Sequence, residues 1–254
     1  MLPAEYTRLA AVEDSAWYFF ALHGHVWREL SRRLDAEAAV LDAGCGTGGL
    51  IRRLAPRQKG WKWTGVDLSP LALELARDRC GAIADLRAGS VTALPFENAV
   101  FDAVVSADVL YHLDDDVAAL REFHRVLRPD GVLVVNVPAY RWLWSYHDEA
   151  VHGRRRYDRR ELLQKVAWAG FVRGRATHWN LLPLPLIVAR RKLFPPARSG
   201  SDVGMLPAPV EAGLRGAMAI ETACLAAFGV LPAGSSVLAV ATSSRDSTSD
   251  VKPA

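Results

Sequence analysis

Hydrophobic and polar positions follow two alternating patterns along the middle of the chain. Short apolar runs such as Ala38–Leu41 are bounded by turn residues, and the longer segments between them carry apolar residues at helical spacing. The pattern predicts strands near 62–67, 84–88 and 101–106 and helices near 49–55, 70–80 and 114–127. Because strands and helices alternate at the spacing of βαβ units, we expect an α/β fold with a parallel sheet and helices on both faces.

Both flanks of this region predict further structure within a single domain, residues 1–254. Apolar positions near helical spacing predict a helical extension over residues 1–36, which precedes a core of residues 37–178. Residues 171–178 and Ser236–Ala241 predict the sixth strand and an antiparallel last strand within 235–242. The intervening segment 179–234 is too long for a hairpin, so we expect an insertion that lies across the ligand edge of the sheet. It should contain a flexible linker near 195–209 and a helix near 210–228, and residues 243–254 should be disordered.

A glycine turn follows the first predicted strand. Gly44, Gly46 and Gly48 alternate there, and Gly49 also completes the dinucleotide pattern Gly-x-Gly-x-x-Gly, so two ligand classes fit. Asp42, at the carboxyl end of the strand, separates these classes because its carboxylate would repel a pyrophosphate but could hold an ammonium group. This favours S-adenosylmethionine, which carries an amino-acid tail and no phosphate, over NAD or FAD.

Five segments together resemble the motifs of class I S-adenosylmethionine-dependent methyltransferases. They are Val40–Gly48, Thr64–Ser69, Gly89–Val91 with Leu94–Phe96, Phe101–Leu113 and Leu127–Leu133, and they occur in the expected order. The resemblance implies a Rossmann-like sheet of seven strands and S-adenosyl-L-methionine as cofactor, with S-adenosyl-L-homocysteine as product. It also implies that Asp67 bonds the ribose hydroxyls and that Ser90, where many relatives carry Asp, lies against the adenine. The cofactor-binding residues that we expect are Tyr18, Asp42, Gly44, Cys45, Gly46, Gly48, Asp67, Leu68, Ser90, Val91, Ala107 and Asp108.

The aromatic cluster of residues 17–20 is denser than a helix needs for packing. With Glu13 and Trp17 it resembles a Glu-x-x-x-Trp-Trp-Phe segment of a bacterial subgroup of these enzymes, with Tyr18 in place of the second Trp. One interpretation is a lid whose aromatic faces meet the sulfonium of the cofactor. The alternative is a helix that docks through its aromatic side chains.

Residues 136–157 are crowded with aromatic and titratable side chains and resemble a Trp-Leu-Trp-Ser-x-His-Asp and Arg-Arg-Tyr pattern of the same subgroup. Such a loop beyond the end of a strand indicates an acceptor site. The acceptor-binding residues that we expect are Tyr111, Trp142, Tyr146, Arg155, Arg156 and Tyr157. The arginines could grip a carboxylate or phosphate, or they could form a solvated turn.

Methyl transfer needs a base only when the acceptor is a poor nucleophile. His147, oriented by the adjacent Asp148, could be that base, although the two could instead anchor the loop. His112, after the fourth strand, is the rival candidate.

Composition and charge limit the classes of partner and the cell compartment that we expect for the chain. The chain has 254 residues with a net charge of +3, and its arginines are scattered apart from Arg154–Arg156, so we do not expect nucleic-acid binding. Three cysteines without paired spacing predict a reducing compartment and no metal site, and Cys45 reads as a small filler of the turn. No signal peptide and no apolar run of ~18 residues are found, so we expect a cytoplasmic protein without a transmembrane segment.

These patterns predict a methyltransferase that acts on a small organic acceptor, in bacterial secondary metabolism such as antibiotic biosynthesis, with a possible homodimer through the insertion. Two alternatives stay open. One is an NAD(P)-dependent oxidoreductase that uses the same glycine turn. The other is a non-catalytic cofactor-binding protein that assembles with a partner enzyme.

Overall fold

A sheet of seven strands organises the computed structural model, which describes residues 3–195 and 201–244. The strand order is β3-β2-β1-β4-β5-β7-β6. The strands are β1 (Ala38–Ala43), β2 (Trp61–Asp67), β3 (Ala84–Ala88), β4 (Phe101–Ala107), β5 (Leu127–Pro138), β6 (Phe171–Trp179) and β7 (Ser236–Ser243). Strands β1 to β5 pair in parallel, and β7 is antiparallel to both of its neighbours. The predicted α/β fold with a Rossmann-like sheet of seven strands is confirmed.

Nine α-helices are found among the described residues. They are α1 (Pro3–Val12), α2 (Trp17–Ser31), α3 (Gly49–Leu54), α4 (Pro70–Cys80), α5 (Asp116–Val126), α6 (Tyr146–Ala150), α7 (Arg159–Trp168), α8 (Leu184–Val188) and α9 (Ala208–Phe228). A π-helical turn, Ala189–Leu193, continues α8. Helix α4 begins after Ser69, whose hydroxyl accepts a hydrogen bond from the Ala72 amide. Helix α5 begins after Asp115, whose carboxylate accepts one from the Ala118 amide, because orphan amides at a helix start need such partners.

Two hydrophobic clusters fill the space on the two faces of the sheet. Phe123 of α5 and Val166 of α7 are buried in one cluster. Ile51 of α3, Leu73 of α4 and Leu30 of α2 are buried in the other. The buried positions of the central strands β1, β4, β5 and β7 are mostly apolar, as expected for strands that are covered on both sides. The fold therefore has three layers, with helices on both faces of the sheet.

The strand order reverses between β1 and β4, and this position fixes the ligand edge. In open α/β sheets a crevice forms at such a reversal, outside the carboxyl ends of the strands. Helices α1 and α2 lie beside this crevice, and so do residues of the segment 180–235 between β6 and β7, which we call the cap. Among the described residues no helix is both long enough and apolar enough to cross a bilayer.

Two sequence predictions fall partly outside the described residues. The predicted linker 195–209 includes residues 196–200, and the predicted disordered tail includes residues 245–254, which the structure does not describe. Ser243, assigned to that tail, instead belongs to β7, where it is buried and its hydroxyl donates to the Arg128 carbonyl oxygen at 2.5 Å. The tail prediction therefore began too early, because the last strand continues past Ala241.

Candidate active site

A cavity of about 500 Å³ opens at the crevice, a volume within the range of small-molecule sites. Eleven of the expected cofactor residues line it: Tyr18, Asp42, Gly44, Cys45, Gly46, Asp67, Leu68, Ser90, Val91, Ala107 and Asp108. Five of the expected acceptor or catalytic residues also line it: Tyr111, His112, His147, Asp148 and Arg156. Residues that are far apart in the sequence thus meet around one space.

The glycine turn between β1 and α3 uses its glycines for different purposes. Gly44, Gly46 and Gly48 all adopt the left-handed backbone conformation, which favours glycine. A Cβ atom on Gly46 would meet only the Leu9 side chain, at 3.8 Å, so the backbone there faces open space. A Cβ atom on Gly48 would lie 2.6 Å from the sulfur of Cys80, and Gly48 does not line the cavity. Gly48 therefore lets the turn pack against α4, and its contact with the cofactor stays a prediction.

Asp42 is an incompletely satisfied polar group of the cavity. Only 2% of it is exposed, and its Oδ2 atom has no hydrogen-bond partner among the described residues. Burial raises its pKa well above the usual range, and the nearby carboxylates of Glu13 and Asp67 raise it further. A buried carboxylate in this state fits a cationic ligand, because a positive group would supply the missing partner. The ammonium and sulfonium groups of S-adenosylmethionine meet this requirement, whereas a pyrophosphate does not.

Asp67 ends β2 beside the glycine turn. Its carboxylate accepts hydrogen bonds from the Gly46 and Ser69 amides, each at 2.9 Å. Burial raises the pKa of Asp67, and these backbone hydrogen bonds oppose the rise. A carboxylate has about four acceptor sites, so Asp67 keeps capacity for ribose hydroxyls. Ser90 is less free, because its hydroxyl bonds the Thr92 hydroxyl at 2.8 Å.

A chain of hydrogen bonds links α2 to the sheet at the end of β4. The Tyr18 hydroxyl donates to Oδ2 of Asp108 at 2.7 Å, and Asn136 Nδ2 donates to Oδ1 at 2.8 Å. The Trp179 indole donates to Asn136 at 2.7 Å, and its ring stacks on Tyr18. Burial raises the pKa of Asp108 to about 6 against the effect of its two hydrogen bonds. Tyr18 is therefore docked against the sheet and also lines the cavity, while its contact with the sulfonium of the cofactor stays a prediction.

His147 and Asp148 do not form the predicted pair. One carboxylate oxygen of Asp148 accepts from the Ser145 amide in a capping box, and the other accepts from Arg156 Nε at 2.7 Å. Asp148 thus anchors the loop, and its role in orienting the imidazole was predicted wrongly. The His147 Nδ1 atom instead accepts a hydrogen bond from the Asp202 amide of the cap at 3.0 Å.

The hydrogen bonds of His112 and His147, two of the histidines that line the cavity, fix opposite tautomers. Burial lowers the pKa of each to about 4, so both rings are neutral at pH 7. Because Nδ1 of His147 accepts, its proton must be on Nε2, which makes Nε2 a donor. The Nδ1 atom of His112 faces the His152 carbonyl oxygen at 3.2 Å and must donate, so its Nε2 carries the lone pair.

Three arginines line the cavity on its cap side. Arg156 donates to Asp148 and to the Ala139 carbonyl, while Arg190 and Arg191 each donate through Nε to Asp202. A guanidinium carries five N–H donors, so these contacts use only part of its capacity. We call the part of the cavity lined by Tyr111, His112, His147, Arg156 and Arg191 the chamber.

Four of the expected acceptor residues do not line the cavity. Trp142 is exposed and stacks on Tyr140. The Tyr146 hydroxyl donates to Asp202 at 2.7 Å. Arg155 donates to the Leu113 and Asp114 carbonyls, and the buried Tyr157 donates to Asp116. For Arg155 and Tyr157 the predicted acceptor contacts were wrong, because both side chains hold the start of α5 against the loop.

Sequence reasoning missed several residues around the cavity. They are Tyr6 and Leu9 of α1, His23 of α2, and Arg191, Asp202 and Leu206 of the cap, while Asn136 and Trp179 support the wall. Asn136 could have been recognised from the sequence, since it is the only polar residue in the run Val132–Val137. Asp202 could not, because it reaches His147 only through the folded cap.

Comparison with known proteins decides the family. Residues 41–135 match the family described as a methyltransferase domain. A malonyl-(acyl-carrier protein) O-methyltransferase of Enterobacter lignolyticus is 34% identical over 174 residues, which cover 64% of this chain and 68% of that protein. The chain belongs to the class I S-adenosylmethionine-dependent methyltransferases.

A second relative covers a shorter part of the methyltransferase. A ubiquinone biosynthesis O-methyltransferase of Methylocella silvestris is 37% identical over 129 residues, which are 50% of each chain. Among solved structures, a methyltransferase from Haloferax volcanii in complex with the Trm112 activator has a TM-score of 0.66 and 20% identity over 95% of both chains. That likeness shows the fold alone. The cofactor of the methyltransferase is S-adenosylmethionine, as its family membership shows, and the buried carboxylate of Asp42 suits a cationic ligand.

Proposed function

We propose that the methyltransferase acts on a small organic acceptor and that the accepting atom is a carboxylate oxygen. The observation that carries this proposal is the set of donors in the chamber. Arg156 and Arg191 present guanidinium N–H groups, and His147 presents its Nε2–H. Charged and neutral donors that converge on one space suit an ionised acid, which has acceptor sites only.

The chamber is poorly suited to acceptors that must lose a proton. His112 carries the one imidazole lone pair assigned to the chamber, and its pKa of about 4 makes it a weak base. A phenol has a pKa of about 10, so transfer of its proton to His112 would be uphill by several pKa units. A carboxylate is already ionised at neutral pH and needs no base. The rate enhancement then comes from the placement of the carboxylate by the chamber.

The cofactor, when bound, supplies a methyl group on a sulfonium that is already activated. Asp42 would hold its ammonium group, and Asp67 would hold its ribose. The open backbone at Gly46 would let the cofactor come close to the turn. Helices α1 and α2 cover one side of the cavity, and the cap covers another. These elements exclude water from the acceptor and hold it in position.

The relatives support an oxygen acceptor. The Enterobacter lignolyticus relative is by name an O-methyltransferase of a malonyl group, and the Methylocella silvestris relative is also an O-methyltransferase. A malonyl group joined to a carrier has one free carboxylate, which is the chemistry proposed here. Our proposal includes a role in bacterial secondary metabolism and a cytoplasmic location, which unpaired cysteines favour. The homodimer through the cap stays a prediction.

The test is methyl transfer from labelled S-adenosylmethionine to matched panels of small carboxylic acids, phenols and amines, with methylated products measured by mass spectrometry. We expect methyl esters of carboxylic acids and at least tenfold slower turnover of phenols and amines. His147→Gln, which keeps an N–H donor, should raise the acceptor KM less than His147→Phe, which has none. Preferred methylation of phenols would contradict the proposal that the accepting atom is a carboxylate oxygen. Binding of S-adenosylhomocysteine without turnover of any panel would favour the non-catalytic partner protein instead.

A further inference from the structure

Exposed apolar side chains are concentrated in the cap. Of the sixteen large apolar residues that are exposed in the described part of the chain, ten lie between residues 182 and 230. They are Leu182, Leu186, Leu193, Phe194, Met205, Leu206, Val210, Ile220, Phe228 and Val230. This segment is about a fifth of the chain. If exposed apolar residues were spread evenly along the chain, far fewer than ten would lie in it. Clusters of this kind mark interaction surfaces.

Helix α9 has an outward face without a single charged residue. Its exposed positions are Ala208, Pro209, Val210, Ala212, Gly213, Gly216, Ala219, Ile220, Ala223, Ala226, Ala227 and Phe228. Its charged residues are turned inward. Glu211 and Glu221 are buried and accept backbone hydrogen bonds, and Arg215 donates to the Ser15 carbonyl. A helix on the surface of a water-soluble domain normally shows the opposite arrangement.

The end of the π-helical turn combines apolar tips with cationic groups. Leu193 and Phe194 are 67% and 76% exposed, and they directly follow the basic residues Arg190, Arg191 and Lys192. The Arg190 side chain is 54% exposed, and Lys192 is also exposed while it donates to the Trp144 carbonyl. Cationic heads beside protruding Leu and Phe side chains complement a bilayer of anionic lipids, whose phosphates lie just outside the acyl chains.

The exposed apolar surface also continues into the cavity. Leu186 and Leu206 are both exposed to solvent, and both line the cavity. Leu186 follows the start of α8, and Leu206 precedes α9. Two separate parts of the cap therefore connect the exposed apolar surface to the cavity. A ligand dissolved in a bilayer could pass between them without crossing bulk water.

We infer that the cap docks on the surface of an anionic lipid bilayer. A second copy of the chain is the competing occupant. In a two-fold dimer the same patch meets itself, so the positive charges of Arg190 and Lys192 would face a patch that carries the same charges, and Leu193 and Phe194 would need pockets in the partner. The net charge of +3 on the chain favours the anionic surface over self-association.

Vesicle co-sedimentation of the full chain tests this inference. We expect binding to vesicles of phosphatidylcholine with phosphatidylglycerol, weaker binding to phosphatidylcholine alone, and a decrease at high salt. The double variant Leu193→Ser with Phe194→Ser should lower the partition coefficient at least tenfold, because each apolar side chain loses its burial in the bilayer. The matched control is Trp168→Ser, which removes an exposed aromatic residue of α7 outside the cap and should change partition less than twofold.

Calorimetric titration with S-adenosylhomocysteine checks that each variant is folded, because Leu193, Phe194 and Trp168 do not line the cavity. Absence of binding to anionic vesicles at low salt, or equal partition of the double variant and the wild type, would overturn the inference. Light scattering provides a further outcome. A stable dimer that Ile220→Asp separates into monomers would assign this surface to a second copy.

Discussion

Asp42 is a residue that destabilises the protein without its ligand and is suited to binding that ligand. Its carboxylate is buried beside two other carboxyl groups, and one of its oxygens has no partner among the described residues. Burial of an ionised group without a partner is costly, so the fold alone does not explain an aspartate here. A cationic ligand explains it.

Replacement of Asp42 by Asn separates stability from binding. The raised pKa means that Asp42 stabilises the empty fold below its unfolded pKa and that this contribution is lost as the pH rises. At pH 8, Asp42→Asn should therefore melt at the same or a higher temperature than wild type. Affinity for S-adenosylhomocysteine should fall at least tenfold, since a hydrogen bond to a charged group contributes roughly 1.5–3 kcal/mol.

The matched control is Asp102→Asn, which removes a carboxylate at the start of β4 that bonds the Ala39 amide and Arg128. It should leave cofactor affinity unchanged. An unaltered dissociation constant in Asp42→Asn, measured by calorimetry, would remove Asp42 from the cofactor site.

The histidines illustrate what sequence adjacency cannot predict. His147 and Asp148 are neighbours in the chain, but successive side chains of a helix diverge by about 100°. Asp148 consequently meets Arg156, and His147 meets the cap. Asp67, in contrast, was placed correctly beside the glycine turn, because the end of a parallel strand has one position in the sheet whatever the neighbouring side chains do.

At the scale of elements, α9 holds the cap through buried carboxylates. Glu221 accepts hydrogen bonds from the amides of Asn180, Leu181 and Leu182, which begin the cap. Glu211 accepts from the Trp17 amide, at the start of α2, and from the Leu206 amide. One helix therefore fixes both the cap and the aromatic helix that borders the cofactor.

Glu221→Gln should loosen the start of the cap without unfolding the sheet. Glutamine has one carbonyl oxygen in place of two carboxylate oxygens, so at least one of the three amides loses its partner at a cost of about 1–3 kcal/mol. Hydrogen exchange should accelerate at least fivefold for at least one of the Asn180, Leu181 and Leu182 amides. In the control, Glu122→Gln, only the Leu94 region should respond, since Glu122 bonds that amide. Unchanged exchange at all three amides in Glu221→Gln would show that Glu221 does not anchor the cap.

The elements of the central sheet were predictable because hydrophobic period and turn residues agree there. The strands at 84–88 and the helix at 70–80 appear with the predicted bounds. The cap was harder, because Leu181–Val188 contains two prolines and continues into a π-helical turn, which matches neither a period of two nor one of 3.6. Its contacts with His147 arise from tertiary packing and leave no local pattern.

At the scale of the whole molecule, the histidines that line the cavity do not change charge at neutral pH. His112 and His147 have pKa values of about 4, and His23 has a pKa of about 3, so all three stay neutral. Asp108, with a pKa of about 6, ionises near neutrality. Its negative charge favours a cationic cofactor.

The pH profile should therefore follow Asp108. We expect kcat/KM to rise with pH through about 6, because only the ionised form of Asp108 adds its negative charge beside the cofactor. Asp108→Asn should abolish this inflection. If the inflection persists in Asp108→Asn but disappears in His147→Gln, the titrating group is the histidine.

The position of β7 has a consequence for synthesis on the ribosome. This strand ends the described chain, yet it lies inside the sheet and pairs with both β5 and β6. Until residues 236–243 leave the exit tunnel, β5 has an open edge and β6 has no neighbour. The nascent chain must therefore keep two unpaired strand edges and an apolar cap until β7 arrives. We expect the methyltransferase to be most prone to aggregation, and most in need of a chaperone, in that interval.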